Sequence, residues 1–566
     1  MRIVIIGAVA AGTSAAAKAR RNDDFAEIVI YEKDQDISYS GCGLPYYIGD
    51  EIKDIEELTP RDAKFFDEKY DIKVKTQHEV THVNMIHKRL TIKNLVTGET
   101  FNDYFDKLIL ATGARPFVPK IDGIDQKHVF FLRNVQNAIA IKTFIQKHKP
   151  KSAIIAGTGF IGFEVLENLL PWNIKVKVVE VMNKITPNLD EDMALLLENK
   201  LIEKGIEIIK GTGITEIHED CVTLSSGKVE DADMVILATG VRPNVDLAKA
   251  MGLRLGTTGA IWVDDTMRTS HPDVYAAGDC IETYNSITKQ VVYRPLGTTA
   301  NKTGRIAGDN ISRDNISRDN ITRVDNSGVN NSSGLMHYQG NLSTGIFKLF
   351  DLSIGSTGLS EVEARKAGYD IEVIHNIKPH RPSYFDGEEM VIKAIADRSS
   401  KQLLGVQIIG TEGVDKRLDV FATLITYHAK VDELFHLDLS YAPPFSTTKD
   451  PVHYTGMILD NAIERNRKIL PNTELDKIKG LQIVDVRTDK DFTKKGHVEN
   501  AISMPHAELR KRLNELDPKK PVVTYCNKGT TGNAAQNILL NRGFKQVYNL
   551  SGGHQFYKAT RVKKEK

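Results

Sequence analysis

Two stretches of the chain share one order of apolar and polar positions. Residues 2–6 (RIVII) form a short apolar run. The segment Gly7-Ala8-Val9-Ala10-Ala11-Gly12 then turns into the helix-like TSAAAKARR, and EIVIYEK brings a second apolar run that ends at Glu32. The same order returns in SAIIAGTGFIGFEVLENLL and VKVVEV, whose strand ends at Glu180. Apolar strands flanking a glycine turn and a helix predict a β-turn-α-β unit of the dinucleotide-binding kind, present twice. LILATGARP (108–116) and VILATGVRP (235–243) close the two regions, which places one nucleotide domain inside the other. The first domain resumes after 243 and runs through DVYAAGDC.

Beyond that point the pattern changes. Residues 309–323 read DNISR-DNISR-DNITR and lead into VDNSGVNNSSG. A polar five-residue period matches neither helix nor strand, so a solvated, flexible loop is expected over 309–335. From about 341 the chain is strand-rich (STGIFKLF, EVIHNI, MVIKAIA, LLGVQIIG), then helical (RLDVFATLITYHA). A linker with Pro471 leads into a fresh strand-helix alternation from LQIVDVR onward.

Length and composition set bounds on this picture. At 566 residues the chain exceeds one core and predicts three or four domains. A formal charge of +1 gives no reason to expect nucleic acid as a partner. The first apolar run passes directly into a glycine turn, and no run approaches ~20 residues, so neither a signal peptide nor a membrane span is expected. Four cysteines exclude a disulfide scaffold and suit a reducing compartment, so a cytoplasmic enzyme is expected.

The glycines carry the first chemistry. A side chain at the turn would keep a pyrophosphate from the helix N-terminus, whose amides and dipole bind phosphate. Gly157, Gly159 and Gly162 give the full G-x-G-x-x-G, and Glu180 ends the next strand, where a carboxylate accepts a ribose 2′-hydroxyl. A 2′-phosphate would be repelled there, which favours NADH over NADPH. The first unit keeps Gly7, Gly12 and Glu32 but has Val9 at the middle position. Ala111, Thr112 and Gly113 form its closing turn, and Gly278 and Asp279 are placed to meet a flavin's ribityl and phosphate region. Two such sites imply FAD fed by a nicotinamide.

In SYSGCGLPYYIG (38–49) Cys42 lies between two glycines, just before an expected helix start that, with a nearby flavin, would favour the thiolate. The next cysteine is Cys221, so the C-x-x-x-x-C pair of glutathione-reductase-type enzymes is absent. A lone thiol can still exchange with a small-molecule disulfide. On these motifs residues 1–455 resemble the pyridine nucleotide-disulfide oxidoreductases, and within them the coenzyme A-disulfide reductases. The resemblance implies Cys42 as the redox cysteine and Ser38 as a substrate contact. It implies Ser14, Lys18, Arg21, Lys69, Asn301 and Lys449 as positions that approach coenzyme A, with Gly41 where relatives carry asparagine. It also implies Tyr441, in LSYAPPFSTTKDPV, donated by a partner subunit to the flavin-side reaction centre, and hence a homodimer. A second tyrosine corresponds to Tyr384, followed by Phe385.

The last block, LQIVDVR…GHVENAISMP…VVTYCNKGTTGN…GFKQVYNLSGG, resembles a rhodanese. Cys526 ends a strand and begins a tight loop whose amides suit an anionic persulfide. The resemblance implies a loop arginine for thiosulfate. Here Thr530 and Thr531 stand in that region, and Lys528 is the loop's cation. A persulfide donor or acceptor follows, and Cys221 and Cys280 are left without a role.

The expected architecture is α/β. It has two nested Rossmann-like domains (FAD on 1–112 and 243–325, NAD(P)H on 113–242), an α+β dimerisation domain (336–455), a linker (456–476) and an α/β rhodanese domain (477–562). The expected activity is NAD(P)H reduction of CoA disulfide, CoA persulfide or polysulfide, with no metal. Two rivals are an NADH oxidase or peroxidase cycling through a cysteine sulfenic acid and a CoA-binding redox sensor.

Overall fold

Strands that are apolar without alternation are buried on both faces, and here they pair in parallel. In the computed structural model, which describes residues 1–313 and 334–561, the first sheet runs Val274–Ala276, Lys107–Leu110, Arg2–Ile6, Glu27–Tyr31, Ile72–Lys75, all parallel. Ile3, Val4 and Ile5 are fully buried at its centre. The second parallel set joins Lys175–Glu180, Ser152–Ala156, Met234–Leu237 and Val129–Phe130. Short strands Ala114–Pro116 and Val241–Pro243 pair antiparallel where the chain leaves and re-enters the first domain.

The helix Ala10–Asn22 packs against Gly297–Arg313. The contact is close enough that a methyl group on Gly304 or Gly308 would strike the carbonyl of Ala11 or Ala15. This second helix corrects part of the loop expectation. Residues 309–313, the first DNISR copy, are its last turn, with Asp309, Asn310, Ile311 and Ser312 fully buried. Asp309 pairs with Lys18 and Arg313, each at 2.8 Å. Asn310 donates to the carbonyls of Thr266 and Met336 at 2.9 and 2.8 Å. The other copies lie outside the described residues.

The chain divides into two compact units, Met1–Val179 with Thr212–Asn341 and Glu180–Gly211 with Leu342–Lys566. In the second, five antiparallel strands run Gly345–Leu349, Leu352–Gly358, Leu403–Gly410, Glu389–Asp397, Ile371–Pro379. Lys393, 1% exposed, is held there by Asp190, Asp192 and Glu361 at 2.9–3.2 Å. A parallel sheet then runs Ile469–Leu470, Val547–Leu550, Val522–Tyr525, Gln482–Asp485, Ile502–Ser503, with an apolar cluster on each face. Among the described residues no helix is long and apolar enough to cross a membrane.

Candidate active site

Each glycine turn leads into a helix N-terminus. The helices Ala10–Asn22 and Phe160–Leu169 start from Val9 and Gly159, and neither start has a side-chain cap or an acidic residue in its first turn. A helix N-terminus of this kind suits an anion. Gly7 and Gly157 adopt φ of +109° and +108°, and a Cβ on Gly12 or Gly162 would strike the carbonyl of Gly7 or Gly157. Gly159 has nothing within 4 Å, which leaves room for a ligand beside it. These features fit a bound dinucleotide at each turn.

The remaining predicted cofactor positions surround the first turn or end the second unit's strand. Glu32 is buried and accepts from the amides of Ala8 and Asp34 at 2.7 and 3.0 Å. Burial still raises its carboxyl above the ordinary range. Ala111 donates to the Ile6 carbonyl at 2.8 Å, Thr112 Oγ1 to that of Asn244 at 2.8 Å, and Gly113 accepts from the Asn244 amide at 3.0 Å. The Gly278 amide donates to Thr303 Oγ1 at 3.1 Å. Asp279 pairs with Arg133 Nη2 at 2.9 Å, and Arg133 Nε reaches the Ala114 carbonyl at 3.0 Å. Arg133 is a site residue that sequence reasoning missed, because nothing in FLRN marks it. Glu180 ends its strand and accepts from the Met182 amide at 2.9 Å.

Cys42 sits at the centre of a one-turn 3-10 helix, Gly41–Gly43, open to solvent on one side. Ser38, at φ +49°, anchors the loop by donating its amide to the Ala8 carbonyl at 2.9 Å. A Cβ on Gly41 would meet only Tyr39, at 3.8 Å. The expected support for the thiolate is not supplied by the polypeptide. The helix Leu44–Ile48 is only five residues long. Burial raises the Cys42 thiol above its ordinary range, the charges of Glu164 and Asp279 add to that, and Arg133 opposes it. Glu164 is also missing from the sequence reading. Burial first, and then Glu167, push its carboxyl up to about 7. Cys280 cannot serve as a second sulfur, since it is fully buried against the carbonyls of Leu110 and Ala277 at 3.5 and 3.3 Å.

Ser14, Lys18 and Arg21 follow one face of the first helix, at i, i+4 and i+7. Ser14 donates to Asn301 Oδ1 at 2.8 Å. Arg21 and Lys69 both lie over the Tyr70 ring, at 5.7 and 5.6 Å. Lys18 is already paired with Asp309. In the second unit Tyr441, Tyr384 and Phe445 are exposed at 48%, 71% and 70%, and the Lys449 carbonyl accepts from Thr447 Oγ1 at 2.7 Å. Phe385 packs on Tyr384 with ring centroids 5.3 Å apart.

Cys526, 7% exposed, follows the strand Val522–Tyr525 and precedes the helix Thr530–Asn541. Its carbonyl accepts from the His554 amide at 2.9 Å, and Asn549 Nδ2 donates to the Gly529 carbonyl at 3.0 Å. Arg487, whose Nη1 lies 3.0 Å from His554 Nδ1, pairs with Asp485 at 2.6 Å, and burial together with Arg487 lowers the His554 imidazole to about 4. Lys528 is not a free loop cation, because it pairs with Glu389.

Three family models match the chain: pyridine nucleotide-disulphide oxidoreductase over residues 1–294, its dimerisation domain over 345–451, and a rhodanese-like domain over 472–560. A Pyrococcus abyssi protein described as NAD(P)H sulfur oxidoreductase (CoA-dependent) is 34% identical over 81% of this chain and 98% of its own. The crystal structure of reduced Bacillus anthracis CoADR-RHD superposes with a TM-score of 0.93 at 36% identity, covering 99% of this chain and 98% of that one. A NAD-dependent persulfide reductase from A. fulgidus superposes with 0.88 at 34% identity, over 98% and 100%. The chain therefore belongs to the pyridine nucleotide-disulphide oxidoreductase family, as an NAD(P)H-dependent flavoprotein reductase with a dimerisation domain and a C-terminal rhodanese-like domain.

Proposed function

We propose that the chain is a cytoplasmic homodimer that reduces CoA disulfide, and CoA persulfide or polysulfide, with NADH through Cys42. The observation that carries this reading is the solitary thiol. Cys42 stands in an open loop beside the first nucleotide turn, and Cys280, the other cysteine with a sulfur near that turn, is sealed in the core. A sulfur that has no protein partner must exchange with a soluble one.

The first turn and Glu32, with Ala111–Gly113, Gly278 and Asp279, would hold FAD, and Gly157, Gly159, Gly162 and Glu180 would hold the nicotinamide nucleotide. FAD, when bound, passes two electrons from the nicotinamide to a disulfide. The Cys42 thiolate attacks CoA-S-S-CoA, its Sγ bonds to one sulfur, and CoA thiolate leaves and takes a proton. With CoA-S-SH the same attack on the inner sulfur releases HS⁻. Two electrons and a proton then return the Cys42 thiolate and one CoASH, the second from the disulfide or the sole one from the persulfide. Ser14, Asn301, Arg21 and Lys69 line the face that meets the phosphates of coenzyme A, while Lys18 must exchange its Asp309 partner to join them. Ser38 and Gly41 border the sulfur, and Lys449, with Tyr441 and Tyr384 of the partner subunit, closes the site. A phenol there would protonate the leaving thiolate. Cys526 carries the sulfane sulfur.

Mass spectrometry of purified enzyme tests this. A mass of one CoA should sit on Cys42, be released by reductant, and be missing from Cys42→Ser. NADH oxidation assayed separately with oxygen, peroxide and CoA disulfide should be fastest with the last. Preference for peroxide would instead favour a sulfenic acid cycle.

A further inference from the structure

A persulfide on Cys526 and the sulfane donors that load it are anions, and a protein stabilises them with a cation. The loop's own Lys528 is engaged by Glu389, which also accepts from Gln555 Nε2 at 2.6 Å. Glu389 begins the strand Glu389–Asp397 and stands in register with Pro379, at the end of the neighbouring strand Ile371–Pro379. One residue earlier, Lys378 sends its ammonium to Thr530 Oγ1 at 3.2 Å, at the first residue of the helix that follows the Cys526 loop. Its Nζ also lies 4.1 Å from the Tyr454 ring centroid. Among the described residues no carboxylate pairs with Lys378. We propose that Lys378, with the Thr530 hydroxyl, is the anion-binding group of the Cys526 site, a cation lent by the dimerisation domain to the rhodanese-like domain. This rests on the reading of Cys526 as a sulfur carrier. Burial first, and then Lys528, hold the Lys378 ammonium below its usual range, and the Cys526 sulfur draws it the other way, as expected of a cation facing a thiolate site.

The ligand class is a hydropersulfide or thiosulfonate anion. Cys526 Sγ attacks the terminal sulfur of R-S-SH, the donor's S–S bond breaks as the new one forms, and R-S⁻ leaves and takes the terminal proton. Cys526-S-S⁻ and R-SH result, with no net oxidation, and Lys378 faces the anion before and after the step.

The test uses the full-length holoenzyme and follows thiocyanate formed from cyanide, with thiosulfate (a dianion) and a benzenethiosulfonate (a monoanion) as donors. Lys378→Met should lower kcat/KM roughly 10- to 100-fold for thiosulfate and less for the monoanion, and Lys378→Arg should restore most of the loss. An equal loss with both donors that arginine does not rescue would overturn the assignment, because a structural defect ignores donor charge. If Cys526→Ser abolishes transfer while Lys378→Met matches wild type, only the assignment of Lys378 falls. If Cys526→Ser still transfers sulfur, the sulfur-carrier reading itself falls.

Discussion

Replacing Asp450 by Asn removes the counter-charge of a guanidinium that has almost no access to water. Arg417 is 1% exposed, and its Nη2 meets Asp450 Oδ2 at 2.7 Å, with Nε 3.2 and 3.3 Å from the two carboxylate oxygens. Its other bonds, to the carbonyls of His380 and Gly413 and to Ser446 Oγ at 3.0–3.2 Å, go to neutral acceptors. Asp450 also caps the helix Pro451–Ile463 through the Val452 amide at 3.0 Å. Asparagine keeps that cap, so the loss isolates the charge pair. Breaking a buried pair from one side costs about 3–5 kcal/mol, a large share of the ~5–15 kcal/mol that holds a domain together. At ~2–4 °C per kcal/mol the midpoint should fall by about 6–20 °C. Burial works to raise the Asp450 carboxyl, but Arg417, Val452 and Ser446 outweigh it and hold it below the usual range. Its contribution is therefore complete above the unfolded-state pKa and fades as pH drops through the folded one, and the gap between wild type and variant must narrow in acid. Thermal unfolding followed by near-ultraviolet circular dichroism at several pH values measures both. A midpoint within ~2 °C of wild type at neutral pH, or a gap that widens in acid, refutes the reasoning.

Cys42→Ser should still show flavin bleaching by NADH in anaerobic stopped flow while CoA-disulfide-dependent turnover drops at least ~1000-fold, and undiminished turnover contradicts the proposed cycle. Burial raises the Cys42 thiol most and Glu164 adds to it, so Glu164→Gln should move the pH profile of iodoacetamide alkylation at Cys42 to lower pH, and an unmoved or opposite profile argues against that coupling. Gly12→Ala should purify with little flavin, whereas Gly162→Ala should keep flavin and lose its reduction by NADH, since each added methyl strikes the carbonyl of its own turn. The reverse pattern would exchange the two nucleotide assignments.

The nested nucleotide units were legible because buried parallel strands must be continuously apolar and the turns admit little besides glycine. Cys42 and Cys526 were legible for a related reason, as each sits in a short loop at the start of a helix. What escaped reading depends on partners remote in sequence. The first DNISR copy is helical because Lys18, Thr266 and Met336 satisfy its polar groups. Arg133 and Glu164 act near Cys42 from other elements, and no local pattern announces them. Lys528 is the loop's cation in sequence, but Glu389, 139 positions away, engages it.

The rhodanese-like segment is bound to its host by side chains it does not own. His375 takes Ser551 at 2.8 Å and stacks on Phe556 at 4.0 Å, Glu389 holds Lys528 and Gln555, and Asn199 donates to the Ala559 carbonyl at 2.8 Å. Gene shuffling that moved residues 472–560 into another protein would carry off the Cys526 loop stripped of its braces. Inheritance of the two parts as a single cistron is what such an arrangement favours.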